Sequence, residues 1–160
     1  MITIQPSQPI FIEYVINTPF NKKPEYINCA DFLKEQVASA IFPSVKNRIS
    51  VLSYLEDNWD GFGAVKISDD VTKNTYKFVD AVNKLGYCPA SADDIYATPY
   101  GTIVLEFRSN FGLVSIEIGR EKIGYFTDFN DKNEHNNHSD GIDTDFRIVP
   151  LELRENLAKL

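Results

Sequence analysis

The chain has 160 residues, 43% of them hydrophobic and 24% charged, with a net charge of −7 at pH 7. That length supports a single domain, 1–160, with its own core. No apolar run approaches the roughly 20 residues a membrane helix needs, and Lys and Arg never cluster densely enough to neutralise several phosphates of a nucleic acid. Neither a membrane nor a nucleic acid is therefore expected as a partner. The N-terminus carries no basic leader with a small-residue cleavage site, so the expected location is the cytoplasm. Cys29 and Cys88 lack CxxC spacing and read as ordinary thiols, with one disulfide between them as the alternative.

Residues 1–27 read as a proline-punctuated arm, in which Pro6, Pro9, Pro19 and Pro24 surround IFIEYVI, a short strand suited to a sheet edge. Asn28 is placed to cap a helix whose apolar stripe is Phe32, Leu33, Val37, Ala40 and Ile41, and Pro43 is expected to stop it. A second helix starts near Ser44 and carries Val45, Ile49, Leu52 and Leu55 up to a WDGFG turn. Ser68 caps a third. There Asp69 and Asp70 complement the helix dipole, and Val71, Thr75, Phe78, Val82 and Leu85 form one face before Gly86 and Pro89 end it.

Beyond Pro89 the hydrophobic pattern becomes alternating. DIYATP supplies a first strand, closed by the turn at Pro99, Tyr100 and Gly101. In TIVLEFR, Ile103, Leu105 and Phe107 alternate with Val104, Glu106 and Arg108; in LVSIEIG, Val114, Ile116 and Ile118 alternate with Leu113, Ser115 and Glu117. Ser109 to Gly112 closes the two as a hairpin in which Glu106 faces Ser115. Lys122 to Phe129 adds a fourth strand, DFRIV reads as one more, and LELRENLAKL after Pro150 is a short final helix. From Asp128 to Asp145 six acids meet a single lysine, so 128–145 reads as an acidic polar loop. The fold class is α+β: N-terminal helices packed on one face of an antiparallel meander of about four strands, with a short C-terminal helix.

Three places carry residues that chemistry can use. EDNWDGFGA matches the front half of a calcium loop, with Glu56, Asn58, Asp60 and Gly61 at positions one, three, five and six, but position twelve is Ile67 where a bidentate glutamate is required. It reads better as a structural motif of Trp59, Asp60, Gly61, Phe62 and Gly63: Asp60 holds a turn, the glycines take positive φ, and Trp59 and Phe62 point into the helix seam. His135 and His138, the only histidines, sit among Glu134 and Asp140 and are the metal candidates, although a polar loop preorganises a site poorly. Glu106 and Glu117 share the open face of the sheet and, with Asp60, are the candidate catalytic carboxylates. Beside Arg108, however, they also read as ordinary surface acids. The motifs imply no cofactor.

LEDNWDGFGA, the polar helix after it, TPYGTIVLEF and VSIEIG together resemble a set of small bacterial proteins that carry an NWDGYGA-like motif ahead of a P-x-G-x-I-x-L-E-W strand and an I-E-I strand. The likeness spans residues 49–126, with Phe62 where tyrosine is usual and Phe107 where tryptophan is frequent. It implies a shared fold and brings no chemistry with it. Two functional readings follow: a non-enzymatic protein-interaction module of an accessory or antitoxin-like kind, with a protein partner, and a metal-assisted hydrolase on the sheet-face carboxylates.

Overall fold

A computed structural model describes residues 29–89, 91–130 and 136–160, with side chains from Ile41 onward apart from that of Asp140. The arm at 1–27, the Asn28 cap and His135 lie outside the described residues. The first helix, α1, is Cys29–Leu52 and runs through Pro43 without the expected break. Proline forfeits one intrahelical hydrogen bond. That loss is local, whereas Val45, Ile49 and Leu52 on the following turns are all buried in the core. Next to Pro43 the Ser44 hydroxyl turns back to donate to the Ile41 carbonyl at 2.6 Å. The two helices read from the sequence are therefore one, and packing outweighs the breaker.

Helix α2, Asp69–Lys84, follows its sequence signals closely. The Ser68 side chain accepts from Val71 N at 3.3 Å, and Gly86 takes φ 84° as the chain leaves the helix. Its buried face is Val71, Asn74, Thr75, Phe78, Val79, Ala81 and Val82; Leu85, expected on that face, lies past the last turn and is exposed.

The sheet is antiparallel, in the order β1 (Ile95–Ala97), β2 (Ile103–Ser109), β3 (Gly112–Ile118), β4 (Lys122–Phe129) and β5 (His138–Asp143). The β2–β3 hairpin has the expected register, with Glu106 opposite Ser115 and Arg108 opposite Leu113. The core face carries Ile103, Leu105, Phe107, Val114, Ile116, Ile118, Ile123, Tyr125 and Phe129, and α1 and α2 cover it. Helix α3, Leu151–Leu157, adds the buried Leu153 and Leu157 to the same core.

Two expectations change at the C-terminal side. The acidic segment read as a loop contains β5, which pairs Ile142 with Ile123 and His138 with Phe126 across a register shift. A polar edge strand needs little apolar alternation, which is why periodicity passes over it. DFRIV is a turn instead of a strand: Asp145 Oδ1 accepts from Arg147 N at 3.0 Å, and Ile148 N donates to Asp145 O at 2.8 Å. A carboxylate that bonds its own following backbone competes with strand pairing. The Arg147 guanidinium also clasps that carboxyl and, with the backbone N–H, pulls it down to about 2.

Candidate functional site

The Glu56–Ala64 corner is built from its own acids. Asp60 Oδ1 accepts from Phe62 N at 2.8 Å and Ala64 N at 3.1 Å, Asn58 Oδ1 from Gly63 N at 2.8 Å, and Asp57 Oδ1 from Lys66 N at 2.9 Å. The Phe62 N–H first, and then that of Ala64, hold the Asp60 carboxyl below its usual range. Asn58 Oδ1 and Asp60 Oδ1, which a calcium loop would aim at an ion, are thus engaged by the loop's own backbone, and Ile67 at position twelve is buried. The corner reading needs one correction. Trp59 is 36% exposed and Phe62 95% exposed, so neither ring fills a helix seam. Asn58 at φ 65° and Gly61 at φ 77° turn the chain so that these rings face outward while Ala64 and Ile67 enter the core.

The open face of the sheet is the second candidate. Strand pairing sets Glu106, Ser115, Phe126 and His138 in one row across four strands, and Tyr96, Val104, Glu117 and Gly124 in the row beside it. The two carboxylates have separate partners. Glu106 accepts from the Tyr96 hydroxyl at 2.8 Å and pairs with Arg108, whose Nε lies 3.5 Å from Asp94. Burial and then the bond to Glu106 push the Tyr96 phenol up. Glu117 accepts from Thr102 Oγ1 at 2.5 Å, and Thr102 lies 2.6 Å from Thr98 Oγ1. Since the Thr102 proton goes to the carboxylate, Thr98 is the donor in that second bond. Tyr96 and Thr102 are not among the residues that the sequence motifs single out, although alternation against Ile95 places Tyr96 on this face.

Gly124, with no side chain, leaves a dip in the second row, part of a groove of about 630 Å³ lined by Glu117, Lys122, Phe126, His138 and Ser139 among others. Phe126 is 47% exposed there. His138 stands on this face while its sequence neighbour His135 lies outside the described residues, and among the described residues no group of three or more His, Cys, Asp or Glu side chains is gathered that could hold a metal ion. Asp60 belongs to the corner, where its Oδ1 is already engaged by two N–H groups. Cys88 is a free thiol whose burial pushes its pKa up. Among the described residues no helix is long and apolar enough to cross a membrane.

On the opposite face, the Tyr125 hydroxyl donates to Glu152 and ties β4 to α3. Burial first, then Glu152, pushes this phenol from 10.0 up to about 12. A folded-state pKa above the unfolded one stabilises the fold below pH about 10 and loses that contribution as pH rises towards 12. Tyr125→Phe is expected to flatten the fall of the urea midpoint across that alkaline window, measured side by side with the parent.

No known protein family, curated protein or solved structure matches the chain.

Proposed function

We propose that the protein is a non-enzymatic interaction module that binds a basic protein surface through the open face of its sheet. The observation that supports this most is the half-exposed Phe126 on β4, with polar groups already held in place towards β1–β3 on the same face: the Tyr96–Glu106–Arg108 cluster and the Thr98–Thr102–Glu117 chain. A partner would find an aromatic anchor whose polar surroundings lose little entropy on binding. Charge sets the partner's sign. Asp128 at the end of β4 and Asp143 on β5 are exposed beside this face, in the segment that carries most of the net charge. Acidic surfaces of this kind speed encounter with basic partners.

The accessory or antitoxin-like role belongs to the same proposal and rests on the want of a catalytic motif in the sequence, the cytoplasmic setting on the want of a leader, and only the bacterial setting on the resemblance of residues 49–126. The metal-assisted hydrolase draws less support. Glu106, Glu117 and Asp60 each bond to different structural partners, whereas general acid or base work needs a carboxyl turned towards substrate.

The test begins with a complex isolated from the source cell on the full chain and reconstituted from purified components. Phe126→Ser is expected to weaken it at least tenfold, about 1.4 kcal/mol, and Asp128→Lys with Asp143→Lys to slow association and reduce its salt dependence. A complex indifferent to both changes would refute the open face as the docking surface. If no stable complex forms, the module reading itself falls.

A further inference from the structure

A second groove, about 450 Å³, opens where the corner's exit, the start of α2, the β1–β2 turn and the β3–β4 turn meet. Its charged lining is Lys66, Arg120 and Lys122 against the single acid Glu121. In a chain of net charge −7 this is an unusual gathering of cations. Among the described residues neither Lys66 nor Arg120 has an ion-pair partner, and Lys122 reaches only Asp143, at 4.0 Å. Asp69 and Asp70, in the first turn of α2, are exposed and do not line the groove. Like charges held together repel one another, and an anion between them removes that cost.

The groove is also built on a fixed backbone. Asp57 of the corner holds Lys66 N at 2.9 Å, and Val65 N donates to Pro99 O at 2.9 Å, which joins the corner to the β1–β2 turn. The approach there is close: a Cβ on Gly101 would stand 2.9 Å from Lys66 O. On the other side the buried Asn74 of α2 donates to Arg120 O at 2.8 Å and pins the β3–β4 turn. Between them Tyr100 is 84% exposed, with its backbone N–H bound to Thr98 Oγ1 at 3.2 Å. Two cationic side chains and an aromatic ring are thereby presented from anchored main chain, so little ordering remains to be done on binding.

We propose that this groove binds an organic phosphate of mononucleotide size, with its phosphoryl group between Lys66 and Arg120 and its planar group on Tyr100. A phosphate monoester carries about −1.5 to −2 at neutral pH and so matches the surplus of two positive charges in the lining. Arginine supplies forked donors to such oxygens and lysine a point charge. The groove is an open surface trough, and its volume of about 450 Å³ exceeds what the phosphoryl group alone would fill. Three cations suit one or two phosphates, not a polymer. The site does not depend on the open-face reading.

The test is titration of the full chain with adenosine monophosphate, inorganic phosphate and adenosine, followed by heteronuclear NMR. Saturable shifts at Lys66, Tyr100 and Arg120 are expected with the nucleotide, at an affinity at least tenfold above phosphate and above adenosine, and largely abolished at about 0.5 M salt. Lys66→Ala with Arg120→Ala should lower nucleotide affinity at least tenfold. Tyr100→Ala should bring the nucleotide down to the level of phosphate. All three side chains are exposed, and unchanged circular dichroism and melting would confirm that the variants fold. No saturable shift at millimolar nucleotide, equal binding of adenosine, or a double variant that binds as the parent does would each overturn the proposal.

Discussion

Gly112→Ala is expected to lower stability by about 2–6 kcal/mol, a large share of the whole. Gly112 opens β3 and pairs with both Ser109 and Phe129, at φ 154°. A Cβ there would lie 2.4 Å from Asp128 O and 2.8 Å from Phe129 Cα, and both of these are backbone atoms of the adjoining strand. No rotamer change relieves such a clash. The β3–β4 ladder would have to part at this end. Backbone strain of roughly 1–3 kcal/mol adds to overpacking of similar size, against a total stability of roughly 5–15 kcal/mol for a domain of this kind. Urea denaturation followed by circular dichroism measures the loss. Gly61→Ala is the control, because its φ of 77° also favours glycine but nothing lies within 4 Å of the added atom. It should cost only about 1–2 kcal/mol, the left-handed penalty by itself.

Phe78→Ala is expected to cost about 3–5 kcal/mol. Among the described residues Phe78 is the largest fully buried side chain, and it sits on the face of α2 that packs against α1, β2 and β3. Its ring is surrounded by elements held in place by their own hydrogen bonds, so the space left behind cannot collapse. The penalty then has two parts, lost transfer energy and an unfilled cavity. Phe78→Leu, which keeps most of the volume, should recover more than half of the loss in the same denaturation experiment. A change of the alanine variant below about 1 kcal/mol would mean that the α2 interface is looser than its burial indicates.

Much of this architecture is written in local chemistry. Ser68 and Gly86 bracket α2, and Ile103 through Ile118 alternate cleanly enough to set both the hairpin register and the core face, because one period governs burial there. The readings that changed depend on long-range terms. Pro43 stays within α1 because Val45, Ile49 and Leu52 pack on partners distant in sequence. Strand β5 forms from HSDGID because β4 offers it an edge, and no propensity of its own announces it. At the corner, the glycines and Asp60 were legible as a turn, but the direction of Trp59 and Phe62 follows from Asn58 at positive φ, which the sequence does not signal. The Lys66–Tyr100–Arg120 groove is harder still to foresee, since its residues come from three separate loops that only the folded sheet and α2 bring together.

The bond between Val65 N and Pro99 O makes the corner continuous with one wall of that groove. Trp59, the only tryptophan in the chain, sits on the same corner with its ring at the water boundary. The protein therefore carries an intrinsic optical probe a few residues from Lys66, on backbone that is hydrogen-bonded to the site's surroundings. Its emission should follow the state of the loop cluster and not that of the hydrophobic core.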